Sequence, residues 1–264
     1  MKLSSWQRRI QRAQELAGQH RFATEILGFY IHVARFQEEL NTRMGAAFPR
    51  QTSEGHTELS AEELSRLSSR FEAFLSLAEE HGPKALAELS RDIRGRGDGF
   101  WAGLLNGAWI MHSPSDAQGF LALAFLQPYA ELVRSRAGLK PRDVAHAVCP
   151  FCNRRPGFGV MRQMGDGASR SLVCSFCLAE WGFRRLVCPG CGEENDKKLP
   201  VFTADDFDYI RVECCESCKT YIKTVDLTKN GHAEPVVDEL ASAPLDLWVQ
   251  ERGYAKLQCN LMGM

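Results

Sequence analysis

The sequence predicts an α+β chain in two parts: an all-helical N-terminal bundle, then two tandem cysteine-bearing β modules closed by a C-terminal helix. Apolar residues recur every three or four positions through roughly the first 140 residues, the period of helices with one buried face. None of the ten cysteines precedes Cys149, and nine lie between Cys149 and Cys218. Eight of those nine form four Cys-x-x-Cys pairs, and the stretch "CPFCNRRPGFGVMRQMGDGASRSLVCSFC" is echoed by "CPGCGEENDKKLPVFTADDFDYIRVECCESC". The gap inside each copy is 21 residues (153–173) and 23 residues (192–214), so the second half is an internal duplication.

The helical half reads in order. Ser5 is placed to cap a first helix with Trp6, Ile10, Ala13 and Ala17 on one stripe. Phe22, Ile26, Phe29, Val33, Phe36 and Leu40 continue as a second, and residues 41–59 read as a polar loop. Ser60 and Glu63 form a capping box ahead of Leu64, Leu67, Phe71, Phe74, Leu75 and Ala78. Gly82 and Pro83 end that helix and start the next, and "RDIRGRGD" (Arg91 to Asp98) with Gly99 reads as a solvated loop. Phe100 to His112 and Ser115 to Arg136 supply two more helices, the latter bent at Pro128. His32, His81, His112 and Trp101 have no second ligand at helical spacing and are read as ordinary surface or core positions.

From Cys149 the period shortens to that of strands. Gly159 to Arg162 and Ser169 to Val173 flank "MGDGA", and Leu199 to Thr203 and Tyr209 to Glu213 flank "ADDFD", two hairpin signals at equivalent places. A knuckle of two thiolates, with a second knuckle delivered by a hairpin, completes a tetrahedral metal site. Pro150 and Pro189 stiffen the first knuckle of each copy, and Asn153 and Gly192 suit the left-handed backbone that follows it. Site one is therefore expected at Cys149, Cys152, Cys174 and Cys177, and site two at Cys188, Cys191, Cys215 and Cys218. Crossed pairing of the knuckles is disfavoured because each copy has its own hairpin. A thioredoxin-like redox pair lacks its βαβ context, and knuckles of rubredoxin type favour one ion over an Fe–S cluster. Four thiolates suit zinc and mononuclear iron alike. Cys214 could replace Cys215, although the repeat aligns Cys215, and Cys259 is read as a small buried thiol. The expected division is residues 1–142 helical, 143–187 a first rubredoxin-like or zinc-ribbon module, and 188–264 a second with the C-terminal helix.

Composition narrows function. At 264 residues with 44% hydrophobic and 25% charged residues, this is the make-up of a globular protein, and a net charge of −1 offers no global field for nucleic acid or anionic lipid. No segment reads as a signal peptide or a membrane span, so no membrane insertion and a cytoplasmic location are expected. Residues 148–187 hold six arginines against Asp166 and Glu180, and residues 188–223 hold eight acids against five bases, which reads as two solvated surfaces or as opposed faces for docking a protein. With eight thiols consumed as ligands, no catalytic residues stand out.

The ordered set "CPFC", "RSLVCSFCLAEW", "RRLVCPGCG", "VECCESCKTYIKTVD" and "VVDELASAPLDLWVQERGY" resembles the FdhE-type accessory proteins for formate dehydrogenase, closely over the last 120 residues and, through "FLALAFLQPYAEL", in character over the rest. The resemblance implies a helical domain with two rubredoxin-like ribbons, two metal ions with iron preferred and zinc possible, and a non-enzymatic role. That role is maturation of a Tat-exported formate dehydrogenase through contact with its catalytic subunit. An electron carrier and a zinc-ribbon nucleic-acid binder are the alternatives, the latter opposed by the charge. Leu178 and Lys219 stand where the family usually has glycine, and Pro244 predicts a kink or a helix restart after Ser242.

Overall fold

A computed structural model describes residues 3–47, 59–110, 116–137 and 147–260. Among the described residues, six α-helices make the first part: α1 (Ser5–Gln19), α2 (Thr24–Ala47), α3 (Ala61–His81), α4 (Lys84–Arg96), α5 (Asp98–Ile110) and α6 (Ala117–Arg136). The cap of α1 is Ser4, not Ser5: its hydroxyl accepts from Gln7 N while Gln7 Oε1 accepts from Ser4 N, a complete capping box one residue earlier than expected. The expected box at Ser60 and Glu63 forms. The polar loop expected from residue 41 is helix as far as Ala47, and the rest of it to residue 58 lies outside the described residues. The loop expected from Arg91 is also helix. Arg91 and Arg94 both bond Glu79 of α3 and Arg96 bonds Asp92, so the basic run is paired across and along helices, and Gly97 (φ 75°) alone separates α4 from α5.

α6 is the axis of the bundle, with Leu121, Ala122, Phe125, Leu126 and Ala130 fully buried. It runs through Pro128 as one continuous helix, and the neighbouring helix supplies what proline lacks. Pro128 has no N–H for the carbonyl of Ala124, and Gln37 Nε2 on α2 donates to that carbonyl at 2.6 Å instead. Asn41, one turn on, donates to Pro128 O at 2.9 Å. Phe71, Phe74 and Phe125 pack with ring centroids 4.9–6.4 Å apart.

The second part holds the two expected β modules, one from each copy, joined side by side in one seven-stranded sheet. β1 (Pro156–Met164), β2 (Gly167–Cys174) and β3 (Glu180–Gly182) come from the first copy, and β4 (Val201–Phe202), β5 (Ile210–Cys214) and β6 (Thr220–Asp226) from the second. The order β3-β2-β1-β6-β5-β4 joins the copies side by side, with β1 parallel to β6 and β7 (Ala255–Lys256) also on β6. Gly159 faces Thr224 at this seam, where any Cβ would collide with the threonine side chain. Arg170 of β2 crosses the seam to Glu213 of β5 at 2.5 Å, buried, and donates to Arg184 O. α7 (Pro235–Ala241) and α8 (Ala243–Gln250) follow, the break at Ser242 being the restart expected before Pro244.

Packing ties the parts together. One hydrophobic cluster runs from Phe71, Trp101 and Phe125 through Trp109 to Phe176, Cys174 and Trp181 of the first copy. A second joins Leu16, Leu27 and Tyr30 of α1 and α2 to Val237 and Leu240 of α7. No helix among the described residues is long and apolar enough to cross a membrane.

Candidate metal centres

The four knuckles are built alike. In each, the N–H of the first cysteine donates to the carbonyl five residues on: Cys149 to Arg154, Cys174 to Ala179, Cys188 to Glu193 and Cys215 to Thr220, at 2.8–2.9 Å. Closing so tight a loop puts the residue after the second cysteine in the left-handed region, with φ 59° at Asn153, 51° at Leu178, 79° at Gly192 and 56° at Lys219. Leu178 and Lys219, which depart from glycine, therefore keep the same backbone. The knuckle N–H groups point at sulfur: Phe151 and Cys152 donate to Cys149 Sγ, Phe176 to Cys174 Sγ and Gly190 to Cys188 Sγ, at 3.3–3.5 Å.

The sheet brings the knuckles together in sequence order. The sulfurs of Cys149, Cys152, Cys174 and Cys177 lie within 4.8 Å of one another, as do those of Cys188, Cys191, Cys215 and Cys218, so the crossed pairing is not what the fold builds. Contacts of 3.3–3.7 Å run between the sulfurs of Cys149 and Cys177, Cys152 and Cys174, Cys188 and Cys218, and Cys191 and Cys215. A tetrahedron with metal–sulfur bonds of about 2.3 Å has edges of about 3.8 Å, so the spacing fits one ion in each cluster. All ten cysteines are free thiols.

Electrostatics argue the same way. The Cys149 thiol is held far below its usual range by hydrogen bonds from Cys152, Cys174 and Cys177, while burial pushes Cys174 up and hydrogen bonding with Cys149 pushes Cys177 up. In the second cluster burial pushes Cys188 up to about 12. Burial also opposes ionisation of Cys218, but the hydroxyl and backbone N–H of Thr220 outweigh it and bring the thiol down to about 7. Four sulfurs this close cannot all carry negative charge unaided, and a cation at their centre is the group that allows it.

The clusters differ in setting. Three of the first four cysteines are buried, whereas Cys191 of the second is exposed. Arg154 is buried over the Phe176 ring at 4.2 Å and donates to Ala108 O and Trp109 O at the end of α5. Arg134 of α6 donates to Cys177 O at 3.0 Å. These arginines hold the first knuckles against the bundle. Sequence reading counted Arg154 as surface charge, because nothing local distinguishes an arginine that serves carbonyls at a helix end.

Cys214 is buried outside both groups, its thiol pushed up to about 12 by burial. Cys259 is exposed rather than buried, since the chain leaves the sheet beyond Leu257. Part of the charge contrast is internal: Arg170 pairs with Glu213, Arg184 with Glu194 and Arg162 with Glu180. His32 and His81 do meet, rings stacked 3.7 Å apart, but no third ligand joins them among the described residues. His112 lies outside the described residues.

Residues 148–185 match the family description "FdhE, central domain" and residues 187–262 "FdhE, C-terminal domain". A "Protein FdhE homolog" from Aquifex aeolicus is 30% identical over 194 residues, 73% of this chain and 69% of that protein. The homologue from Pseudomonas aeruginosa is 30% identical over 67% of this chain and 59% of its own length. The homologue from Pseudomonas putida is 36% identical over 47% of this chain and 40% of its own. The crystal structure of the FdhE protein from Pseudomonas aeruginosa superposes with a TM-score of 0.67 over 99% of this chain and 97% of that one, at 24% identity, a likeness of fold.

Proposed function

The chain belongs to the FdhE family, and we propose that it is a cytoplasmic, non-catalytic maturation factor that binds the catalytic subunit of a Tat-exported formate dehydrogenase. The observation that carries this reading is the pair of four-thiol clusters, spaced for one ion each and fused into one sheet that is packed on a helical platform. In this reading Cys149, Cys152, Cys174 and Cys177 hold one ion and Cys188, Cys191, Cys215 and Cys218 the other, iron preferred and zinc the alternative. Residues 1–142 serve as platform and 143–187 and 188–264 as the metal modules. A bound ion would offset part of the negative charge of each four-thiolate cluster, half of it for a divalent ion. The chain's own contribution is to present N–H donors to the sulfurs and to fix both modules in one orientation.

The test is capture of a formate dehydrogenase catalytic subunit by the tagged, metal-loaded chain under anaerobic conditions, together with a strain lacking the protein. Capture, no turnover of formate by the purified chain, and a strain with formate dehydrogenase made but inactive are expected. Normal activity in the deletion strain would end this reading. Metal analysis with a visible spectrum decides between iron and zinc.

A further inference from the structure

Three arginines are buried among the described residues: Arg9, Arg154 and Arg170. Arg9 is paired with Glu131 and Arg170 with Glu213. Arg154, 4% exposed, meets no carboxylate among the described residues. Its guanidinium lies over the Phe176 ring at 4.2 Å and donates to the carbonyls of Ala108 and Trp109 at 2.6 and 3.0 Å. Carbonyls and a ring face favour a cation but carry no net charge, and a buried charge calls for an opposite one. The negative groups around Arg154 are sulfurs. Burial presses the guanidinium towards its neutral form, and the charges of Cys152, Cys174 and Cys177 oppose that pressure. Phe176, whose ring it covers, stands inside the second knuckle, between Cys174 and Cys177.

The repeat supplies a comparison. Cys149 N–H donates to Arg154 O and Cys188 N–H to Glu193 O, so the two residues hold equivalent places. The place that carries a cation at the buried cluster carries an acid at the cluster whose Cys191 is exposed. The Glu193 carboxylate is taken up by the Ser217 hydroxyl and the N–H groups of Glu194 and Asn195. Water reaches the second cluster and screens its charge, whereas the first, with three of its four cysteines buried, needs a counter-charge within the protein. Four thiolates around a divalent ion keep two negative charges, and around a trivalent ion they keep one.

We propose that Arg154 is the internal counter-cation of the first metal centre and biases that centre toward the divalent, more negative state of its ion, the ferrous state in the case of iron. The inference rests on the reading of Cys149, Cys152, Cys174 and Cys177 as the ligands of one ion. A fixed positive charge in a buried site stabilises whichever state carries the greater negative charge. The centre therefore takes one electron from a reductant more readily with Arg154 than without it. Arg154 acts through charge and not as a ligand, so its removal changes the balance between two states of the ion.

The test loads the full chain with iron(II) under anaerobic conditions and follows the visible absorption of the ferric tetrathiolate in a titration between ferricyanide and dithionite with redox mediators. The wave that Cys149→Ser with Cys152→Ser abolishes belongs to the first centre. Arg154→Gln should cut the ferrous-to-ferric ratio of that wave by about tenfold or more at a given potential, a midpoint lower by about 59 mV or more for one electron, and leave the other wave in place. Arg154→Lys keeps the charge and should hold the ratio within about threefold of the unaltered chain. A midpoint unmoved by Arg154→Gln makes the arginine a clamp on the end of α5 and overturns the proposal. An equal fall in Arg154→Lys overturns it too. If Arg154→Gln loads no iron at the first centre, loading of Arg154→Lys upholds the need for charge, and failure of both variants overturns it. An unaltered chain that takes up no iron at these four cysteines ends the ligand reading and the proposal with it, whereas a loaded centre with an unmoved midpoint ends the role of Arg154 alone.

Discussion

Asn153, Leu178, Gly192 and Lys219 share one backbone conformation, and only two of them are residue types that accept it easily. Sequence reading found Asn153 and Gly192 and had reason to doubt the other two. The doubt dissolves because the five-residue hydrogen bond from the first cysteine of each knuckle imposes the conformation whatever side chain sits there. The strain remains and can be measured. Lys219 is exposed, so Lys219→Gly relieves about 1–2 kcal/mol of left-handed strain against about 0.4–1 kcal/mol of unfolded-state entropy and a weak surface pair with Glu216. A gain of about 0.5 kcal/mol in the denaturation of the second module is expected. Leu178→Gly gains the same relief but loses packing against the Phe158, Val160 and Val173 cluster, and should destabilise by about 1 kcal/mol. The adjacent cysteines give a sharper contrast: Cys215→Ser should lose one of two metal equivalents, and Cys214→Ser none.

Between elements, legibility follows the range of the signal. The capping box at Ser60, the hairpins and the restart at Pro244 are written within a few residues and were read. The parallel pairing of β1 with β6 was not, since it joins segments some 65 residues apart (159 to 224) and leaves only Gly159 as a trace. Gly159→Ala should cost about 1–3 kcal/mol by forcing the seam open, measured as a lower denaturation midpoint. On β6, Lys223, with Lys256 of β7, meets Glu239 and Asp246 in a buried network that holds α7 and α8 on the sheet. Burial works against the Glu239 carboxylate, but Lys223 and Lys256 outweigh it and hold the carboxyl at about 2. A depressed carboxyl stabilises the fold fully above its ordinary value of 4.5 and loses that contribution as pH falls from there through about 2. Denaturation midpoints should therefore drop across that window. Glu239→Gln should start about 3–5 kcal/mol lower at pH 6, because it leaves Asp246 as the one carboxylate shared by two buried lysines, and should fall less steeply below pH 4.5.

Across the whole molecule, the two clusters are repeated in sequence but not equivalent in consequence. The first is walled by the bundle: Trp109 packs edge-on against Phe176 with centroids 5.7 Å apart, and Arg134 and Arg154 tie its knuckles to α6 and α5. The second has Cys191 at the surface, and the β5 and β6 strands that carry its second knuckle continue into the smaller core around Val212, Tyr221 and Val249. A chelator needs access to sulfur or a local opening to reach an ion, and both are cheaper at the second cluster. Metal should therefore leave in two phases, the first equivalent from the second cluster with little change in far-UV circular dichroism. The slow phase, from the first cluster, should take helical signal with it, because knuckles without an ion no longer hold Phe176, Cys174 and Trp181 in the shared core. Cys149→Ser with Cys152→Ser should mimic the slow phase and Cys188→Ser with Cys191→Ser the fast one. Full helicity in the first pair of substitutions would show that the bundle stands without the module packed on it. Release of both ions in one phase would show that the seam at Gly159 and Thr224 couples the clusters more strongly than the bundle separates them.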